Sequence, residues 1–472
     1  MTLSSTFFYN ICFAGYFLGL VMFVAHAITR RAKLRRAATI VVAGAFLTQV
    51  GGMVMRWHEA GLVEIAAAER AQGVVLEGAH RFVIYTQHPP WSNLYEILVY
   101  MAWGVVFVFL VTEVKFRIRF AGVLALALAL TSLGLASLTT DATIKPLVPA
   151  LQSWWIMIHV ISSAIGYAAG TMGAVFSLLF LLRAKERITL SSLGAGVLVI
   201  NTLLVLLLGR GGQLFTTAAY KVKLLREMGG ELIPAGRMVG ENFAPYYVPS
   251  PMVGSLMIAT VVLSVVAVVA LWLKRKDDVP TGLPLLAYAL AFGASTATIA
   301  LILINANTAT DVQVAAETAK TLMPPGPWRL AIQSAQWDLA LFGIGWVIQL
   351  VAFLAILKPQ GMRELLPEPA RLDRAAYYSI LVAFALVAVV LVTGALWAHY
   401  AWGRYWGWDP KETGALVIWI VYAVYLHARI THGWVGVPSA VIGCLGFFVI
   451  LAGFLGVNLG WFADGLHSYG SS

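Results

Sequence analysis

Twelve runs of about 20 apolar residues succeed one another along this chain. Each is long enough to cross a hydrocarbon core of roughly 30 Å. Lipid offers no water to pair with backbone N–H and C=O groups, so a run of this length must be helical. The expected fold class is therefore all-α, a polytopic transmembrane helical bundle of about 12 spans. They fall near 5–28, 37–56, 93–112, 120–137, 153–182, 190–208, 251–273, 283–305, 336–357, 375–398, 413–430 and 437–459. Charged residues make up only 11% of the chain, against roughly a quarter in soluble domains. No segment between the runs is large enough to fold alone.

Lysine and arginine set the expected orientation. RRAKLRR at 30–36, KFRIR at 115–119, RAKER at 183–187 and KRK at 274–276 fall on one side, with Lys358, Arg363, Arg371, Arg374 and Arg429. That side carries 19 of the 32 basic residues, in short and dense connections, and reads as cytoplasmic. Both termini then face the periplasmic or outer side of a bacterial cytoplasmic (inner) membrane. No removable signal peptide is expected, because the first run is long and lacks a basic leader. Cys12 and Cys444 lie in different apolar runs and form no CxxC or CxxCH motif, so they read as small buried hydrophobes. The chain has no repeat at a fixed period.

Three outer segments separate the runs. Residues 57–92 contain His58, His80, His88 and the turn HPPW, and the three histidines are expected in loops. Residues 209–250 contain GRGG and APYYVPSP and are expected as a loop with room for one surface helix. Residues 306–335 contain MPPGPW.

A fourth outer stretch is different in kind. Trp397–Thr413 reads WAHYAWGRYWGWDPKET, rich in aromatics and poor in aliphatics. Trp and Tyr collect at membrane interfaces because their rings are amphipathic, so one reading is a plain interfacial loop. The other is a flat aromatic shelf for a ligand. Trp402, Trp406 and Trp408 lie within seven residues, separated by Gly403 and Gly407. The glycines remove bulk where a planar ligand would approach the backbone, and Arg404 or Lys411 could meet its carboxylates. Asp409, Pro410 and Glu412 have the spacing of a helix start, with Asp409 as N-cap and Glu412 closing a capping box. That makes both acids structural.

WGRYWGWDPKE at 402–412 resembles the tryptophan-rich WGxxWxWDxKE signature of the haem-handling proteins of cytochrome c maturation. Its PKE ending is similar to the CcsA/ResC branch, whereas the related CcmF and NrfE proteins more often read WDPVEN. SNLYE at 92–96, SWWIMIHV and GYAAG within 153–170, YLHAR at 425–429 and GLHSYG at 465–470 resemble further segments of that branch. Two departures stand out. Relatives commonly read Asn where this chain has His399. They also usually have about eight spans, so residues 190–357 look like an inserted block of four helices. The expected organisation is 1–189, N-terminal helices with the first external histidine; 190–357, inserted helices of unknown role; and 358–472, the tryptophan-rich haem-handling helices.

The resemblance gives the histidines roles that their positions alone leave open. His159 lies about 9 Å inside its span at 1.5 Å per residue, where an interfacial histidine bonded to a carbonyl and a metal ligand are both possible. His467 follows the last span, where a solvated histidine is the default. The resemblance implies that His159 and His467 ligate haem iron over the aromatic loop, with Trp402, Gly403, Arg404, Trp406 and Trp408 against the macrocycle. It implies that His427, toward the inner end of its span, holds haem iron at an inner site with a co-ligand from another protein. His26 is an in-chain alternative, though a satisfied helix-end histidine accounts for it, and His432 reads as a cytoplasmic turn. His399 has no family role.

The implied function is that of the membrane subunit of a system II cytochrome c synthase. It would deliver haem b, as substrate and ligand, for thioether attachment to the CxxCH of an apocytochrome c, together with a ResB/Ccs1-type membrane partner. No residue reads as its general acid or base. The alternative is a haem exporter or another twelve-span secondary transporter without ligation activity. Against that stand the lack of internal symmetry and the position of the aromatic loop at the surface rather than the midplane. A redox subunit ranks last, because His427 and His432 are five residues apart and poorly aligned on a helix.

Overall fold

The computed structural model describes residues 4–29, 31–87, 91, 93–118, 120–139, 144, 146–147, 151–184, 219–228, 231–235, 238–239, 242–243, 246–249, 251–273, 282–308, 328–331, 349 and 366–458. His88, His467 and the expected spans at 190–208 and 336–357 (Gln349 apart) lie outside them. The described helices are α1 Ser5–Thr29, α2 Ala32–Gln72, α3 Gly78–Gln87, α4 Leu94–Phe116, α5 Ala121–Thr139, α6 Trp154–Arg183, α7 Pro251–Leu273, α8 Leu283–Thr308, α9 Pro369–Trp402, α10 Pro410–Thr431 and α11 Val437–Asn458. Ten of the twelve expected spans are thus helices, in a predominantly helical polytopic membrane fold. Among the described residues α1, α2, α4, α6, α9 and α10 are long and apolar enough to cross a bilayer, and α5, α7, α8 and α11 contain shorter apolar stretches.

The chain divides into two compact units. The first comprises Met1–Ser137, Asp141–Ala184 and Leu365–Ser471. Its centre is α6, which packs against α4, α9 and α11. Small residues let these backbones approach, as helices in lipid require. Gly166 lies against Leu386, Gly173 against Ile380, and Gly170 against Tyr422 and Ile450. Around this centre α1 pairs with α2, α2 with α4, and α10 with α9 and α11.

Two polar layers fix the ends of the first unit. At one end Arg429 of α10 forms a bidentate pair with Asp373 of α9 and reaches Ser439 of α11 at 3.2 Å. At that same α9 terminus Lys115 of α4 sits 4.3 Å from the centre of the Tyr378 ring. Arg35 of α2 meets Glu113 of α4 at 3.3 Å. The buried His26 of α1 bonds the Arg31 carbonyl through Nδ1 at 2.9 Å, so it is a satisfied helix-end histidine. At the other end Asn93 and Glu96 form a capping box at the start of α4. Glu96 also accepts from Arg56 Nε of α2 at 2.9 Å, with both side chains buried. Glu59 of α2 accepts from the backbone N–H and hydroxyl of Ser5 at the start of α1, at 2.8 and 2.6 Å.

Three expectations are corrected in this unit. Helix α2 does not stop near 56: it runs on to Gln72, 41 residues or about 60 Å in all, and ends at Gly73 with φ 67°. Helix α3 folds back along it. His58 and His80 are therefore helical rather than in loops, and His58 Nδ1 meets the Tyr85 hydroxyl of α3 at 2.7 Å.

The second unit is Lys185–Glu364 with residues 138–140 and 472. It holds the α7–α8 pair and a small antiparallel sheet. Strand β1 (Ala219–Met228) pairs with β2 (Glu231–Ala235), β5 (Tyr246–Pro249) and β6 (Trp328–Ala331), while β3 (Met238–Val239) pairs with β4 (Asn242–Phe243). The segment expected as a loop with a surface helix is thus a sheet. The cause is visible in β1: Tyr220, Val222 and Leu224 alternate with Lys221 and Lys223, the period of a strand. The register of β1 on β2 runs from Leu224 opposite Ala235 to Met228 opposite Glu231.

The aromatic segment between α9 and α10 is tied at both ends. Gly403 closes α9 with φ 70°, its N–H on the His399 carbonyl at 2.9 Å. Asp409 and Glu412 form the expected capping box at the start of α10. Glu412 Oε2 accepts from the Asp409 N–H at 3.2 Å and from the Gly407 N–H at 2.8 Å, so it holds the loop as well as the helix.

Two stability predictions follow. Glu96→Ala removes the nearer carboxylate of buried Arg56, leaving Glu59 at 4.0 Å, and should cost up to about 3–5 kcal/mol. Thermal unfolding in detergent should show this, and the Arg56→Ala/Glu96→Ala double variant should lose less than the sum of the singles. Asp409→Ala removes a cap and should cost roughly 0.5–2 kcal/mol. Glu412→Ala should in addition speed tryptic cleavage after Arg404, read by limited digestion.

Candidate functional site

Helices α6, α9 and α10 and the aromatic segment enclose a cavity of about 230 Å³. His159 of α6 lies in its wall, with Trp397 of α9, Tyr405 and Trp406 of the loop and Lys411 of α10. Trp91 and Asn93, just before α4, complete that end. Residues from separate parts of the sequence therefore converge on His159 of α6.

The geometry at His159 fixes its chemistry. Its Nδ1 lies 3.0 Å from the backbone carbonyl of Val390 in α9. A carbonyl can only accept, so Nδ1 carries the proton, and Nε2 of the neutral ring carries the lone pair. This is the tautomer in which second-sphere carbonyls hold metal-ligating histidines. The ring sits over Gly394, where an added Cβ would come within 3.0 Å of Cε1 and 3.1 Å of Nδ1. Trp397, three residues further along α9, lies with its ring centre 6.1 Å from that of His159 and the planes at 39°.

The aromatic segment does not form one flat shelf. Trp402 turns inward onto the buried Trp397, with ring centres 5.1 Å apart, and joins the small core of Leu147, Leu151 and Ile156. Trp406 lines the cavity. Trp408 stands at 88° to Trp406 and is 71% exposed. The tight connection into the α10 cap puts Trp408 at φ 57°, a conformation that costs a bulky residue about 1–3 kcal/mol. Planarity fails because the chain must leave one helix and enter the next within seven residues, so alternate rings point to different sides.

The other singled-out residues divide clearly. Gly403 serves the α9 terminus, and nothing lies within 4 Å of where its Cβ would be. The Arg404 guanidinium packs on Gly407 and does not line the cavity, whereas Lys411 does. The exposed His399 stacks on Tyr405, with ring centres 4.2 Å apart and planes at 7°, and so braces a cavity residue from behind. The carboxylates of Asp409 and Glu412 accept backbone N–H groups, as expected of structural acids. His427 is exposed on α10, far along the helix from the cavity, with the His432 ring edge-on at 5.5 Å. His467 lies outside the described residues.

Sequence reading missed Val390, Gly394, Trp91 and Tyr405 as parts of the site. For Gly394 a signal existed: it is a lone glycine in the aliphatic stretch LVTGAL, three residues before Trp397. The Val390 carbonyl had none, since a backbone oxygen has no signature in a side-chain pattern.

A flat, largely apolar macrocycle bearing a metal and anionic substituents fits this donor set. It would meet one imidazole of fixed tautomer, aromatic walls and the Lys411 ammonium. Trp406 Nε1 is buried in the wall with no hydrogen-bond partner among the described residues, a donor placed for an acceptor on such a ligand. A bare metal ion fits less well: among the described residues no three His, Cys, Asp or Glu side chains cluster to hold one.

The family model "Cytochrome C assembly protein" matches residues 91–189 and 250–463. The interruption, 190–249, is shorter than the block 190–357 expected as an insertion, and the match takes in α7 and α8. A protein from Trichormus variabilis named cytochrome c biogenesis protein CcsA is 30% identical over 387 residues, 81% of this chain and 80% of that protein. Proteins of the same name from Picosynechococcus sp. and Gloeobacter violaceus are 30% and 29% identical, covering 81% and 82% of this chain and 80% of each relative. With a family match over most of its length, and with the tryptophan-rich loop folded against the histidine of α6, the chain belongs to the CcsA family of cytochrome c biogenesis proteins.

Proposed function

We propose that the protein holds haem b at this cavity, as the haem-delivering membrane subunit of a cytochrome c synthase. The observation that carries the reading is His159, an imidazole whose Nδ1 proton is committed to the Val390 carbonyl beside the aromatic loop. His159 and His467 would hold the haem iron. Trp406 and Tyr405 flank the macrocycle, and Trp402 backs the wall through Trp397. Lys411 and the Trp406 N–H meet the haem carboxylates, and Trp408 and Arg404 stand at the rim.

The chemistry asks for positioning more than for acid–base catalysis. The two thiols of an apocytochrome CxxCH add across the two haem vinyl groups. Each addition forms one S–C bond, and the thiol proton ends on the neighbouring vinyl carbon, so no net oxidation occurs. The histidine of CxxCH then replaces a ligand of this protein. Holding haem with its vinyl edge toward the incoming thiols converts a bimolecular addition into a guided one.

His427 marks an inner haem site before transfer. Its exposure on α10 suits a ligand shared with a second chain, for which a ResB-type membrane protein is the proposed partner. The basic end layer, with Arg35, Lys115 and Arg429, faces the cytoplasm in this reading, and the aromatic loop faces outward from the bacterial cytoplasmic membrane. A carrier that moves free haem is not favoured, since the relatives are named for cytochrome c biogenesis.

The purified protein should show a low-spin bis-histidine haem spectrum that weakens or disappears in His159→Ala and in His467→Ala. A colourless protein from haem-replete cells would sink the reading. Co-expression with a ResB-type partner and a CxxCH protein, in cells lacking other maturation systems, should yield haem that stays attached on a denaturing gel. Haem binding without such attachment would leave a carrier and remove the synthase.

A further inference from the structure

We propose that the Val390 carbonyl and the bare Cα of Gly394 are positioning elements for His159, fixing the tautomer and depth of its ring so that Nε2 faces the cavity. The inference rests on the haem reading of the cavity and deepens it.

The first observation is the Nδ1–carbonyl contact at 3.0 Å. Val390 is in the interior of α9, four residues before Gly394, so its carbonyl is already the acceptor position of the helix ladder. The same carbonyl lies 3.4 Å from the Thr393 hydroxyl. An oxygen with two lone pairs can serve the helix and the imidazole together. A ring N–H held by such an acceptor gains electron density at the opposite nitrogen and becomes the better metal donor.

The second observation is steric and independent of the first. A methyl group at Gly394 would stand 3.0 Å from Cε1 and 3.1 Å from Nδ1, so the ring would have to move by a few tenths of an ångström. Glycine in a helix interior is unfavourable relative to alanine. Its presence here is explained by the ring that occupies the space of its side chain. The ring is also crowded by Trp397, whose ring centre is 6.1 Å away, and α6 is held against α9 by Gly166 and Gly173.

A bond that merely ties α6 to α9 would not alter the electronic character of a bound ligand, and this separates the two roles. Detergent-purified wild type, Gly394→Ala and His159→Ala should be titrated with haem in the His427→Ala background, which isolates the outer site. Gly394→Ala should bind haem about 10- to 100-fold more weakly, lose low-spin character and shift its midpoint potential upward. Alanine is the better helix former, so α9 should keep its helicity by circular dichroism. A second arm needs no change in α9. In His159→Gly, added imidazole can ligate through one nitrogen and donate from the other to Val390, while 1-methylimidazole cannot donate. Imidazole should restore the low-spin spectrum at roughly tenfold lower concentration. Equal restoration by the two ligands, or a Gly394→Ala protein with the wild-type spectrum and potential, overturns the positioning role. Identical haem spectra in wild type and His159→Ala overturn instead the haem reading of the cavity.

Discussion

The close packing of α6 on α9 is the constraint on which the rest depends. Helices in lipid gain nothing from excluding water from one another, so they associate where small residues let backbones approach. Here Gly166 and Gly173 of α6 accept Leu386 and Ile380 of α9, and Gly394 of α9 accepts His159 of α6. The exchange is reciprocal: each helix supplies gaps for the other's side chains. Only at that separation can a side chain of α6 reach a backbone carbonyl of α9.

That contact turns an ordinary polar residue in a membrane helix into a defined chemical group. A histidine in lipid is costly unless its N–H is satisfied. Satisfying it with a carbonyl meets the cost and selects one tautomer at the same time. The aromatic segment adds enclosure, but its geometry is set by helix termini. Gly403 ends α9, the Asp409–Glu412 box begins α10, and the rings between them are distributed over three environments: core, cavity wall and surface. The density of tryptophan thus serves three jobs, of which one faces the cavity.

The polar residues away from the cavity follow the same economy. Arg56 with Glu96, Arg35 with Glu113 and Arg429 with Asp373 each join two helices near a membrane-facing end. Glu96 and Glu412 also each close a helix start, so one carboxylate satisfies backbone donors and a tertiary contact together. Family motifs in the sequence therefore carry a large structural load. SNLYE is a capping box plus a buried ion pair, and DPKE is a capping box plus a loop tie.

Apolar run length alone determined the class of fold, because a lipid-spanning segment has no alternative to the helix. Spacing alone determined the cap at Asp409 and Glu412, since capping depends on residues three apart. The eleven-residue loop motif was specific enough to identify the family. The sheet in the second unit was legible in the alternation of β1 but was obscured by surrounding glycine, proline and charge. The reach of α2 past 56 was not visible from hydropathy, because this stretch mixes charged with apolar residues and buries only Ala60, Gly61 and Ile65. Tertiary structure decided the site. It showed which loop tryptophan lines the cavity, put Lys411 rather than Arg404 in its wall, and paired His159 with a carbonyl 231 residues away. Such a contact depends on the separation and rotation of two helices, and those are set by the whole packed bundle rather than by any local pattern.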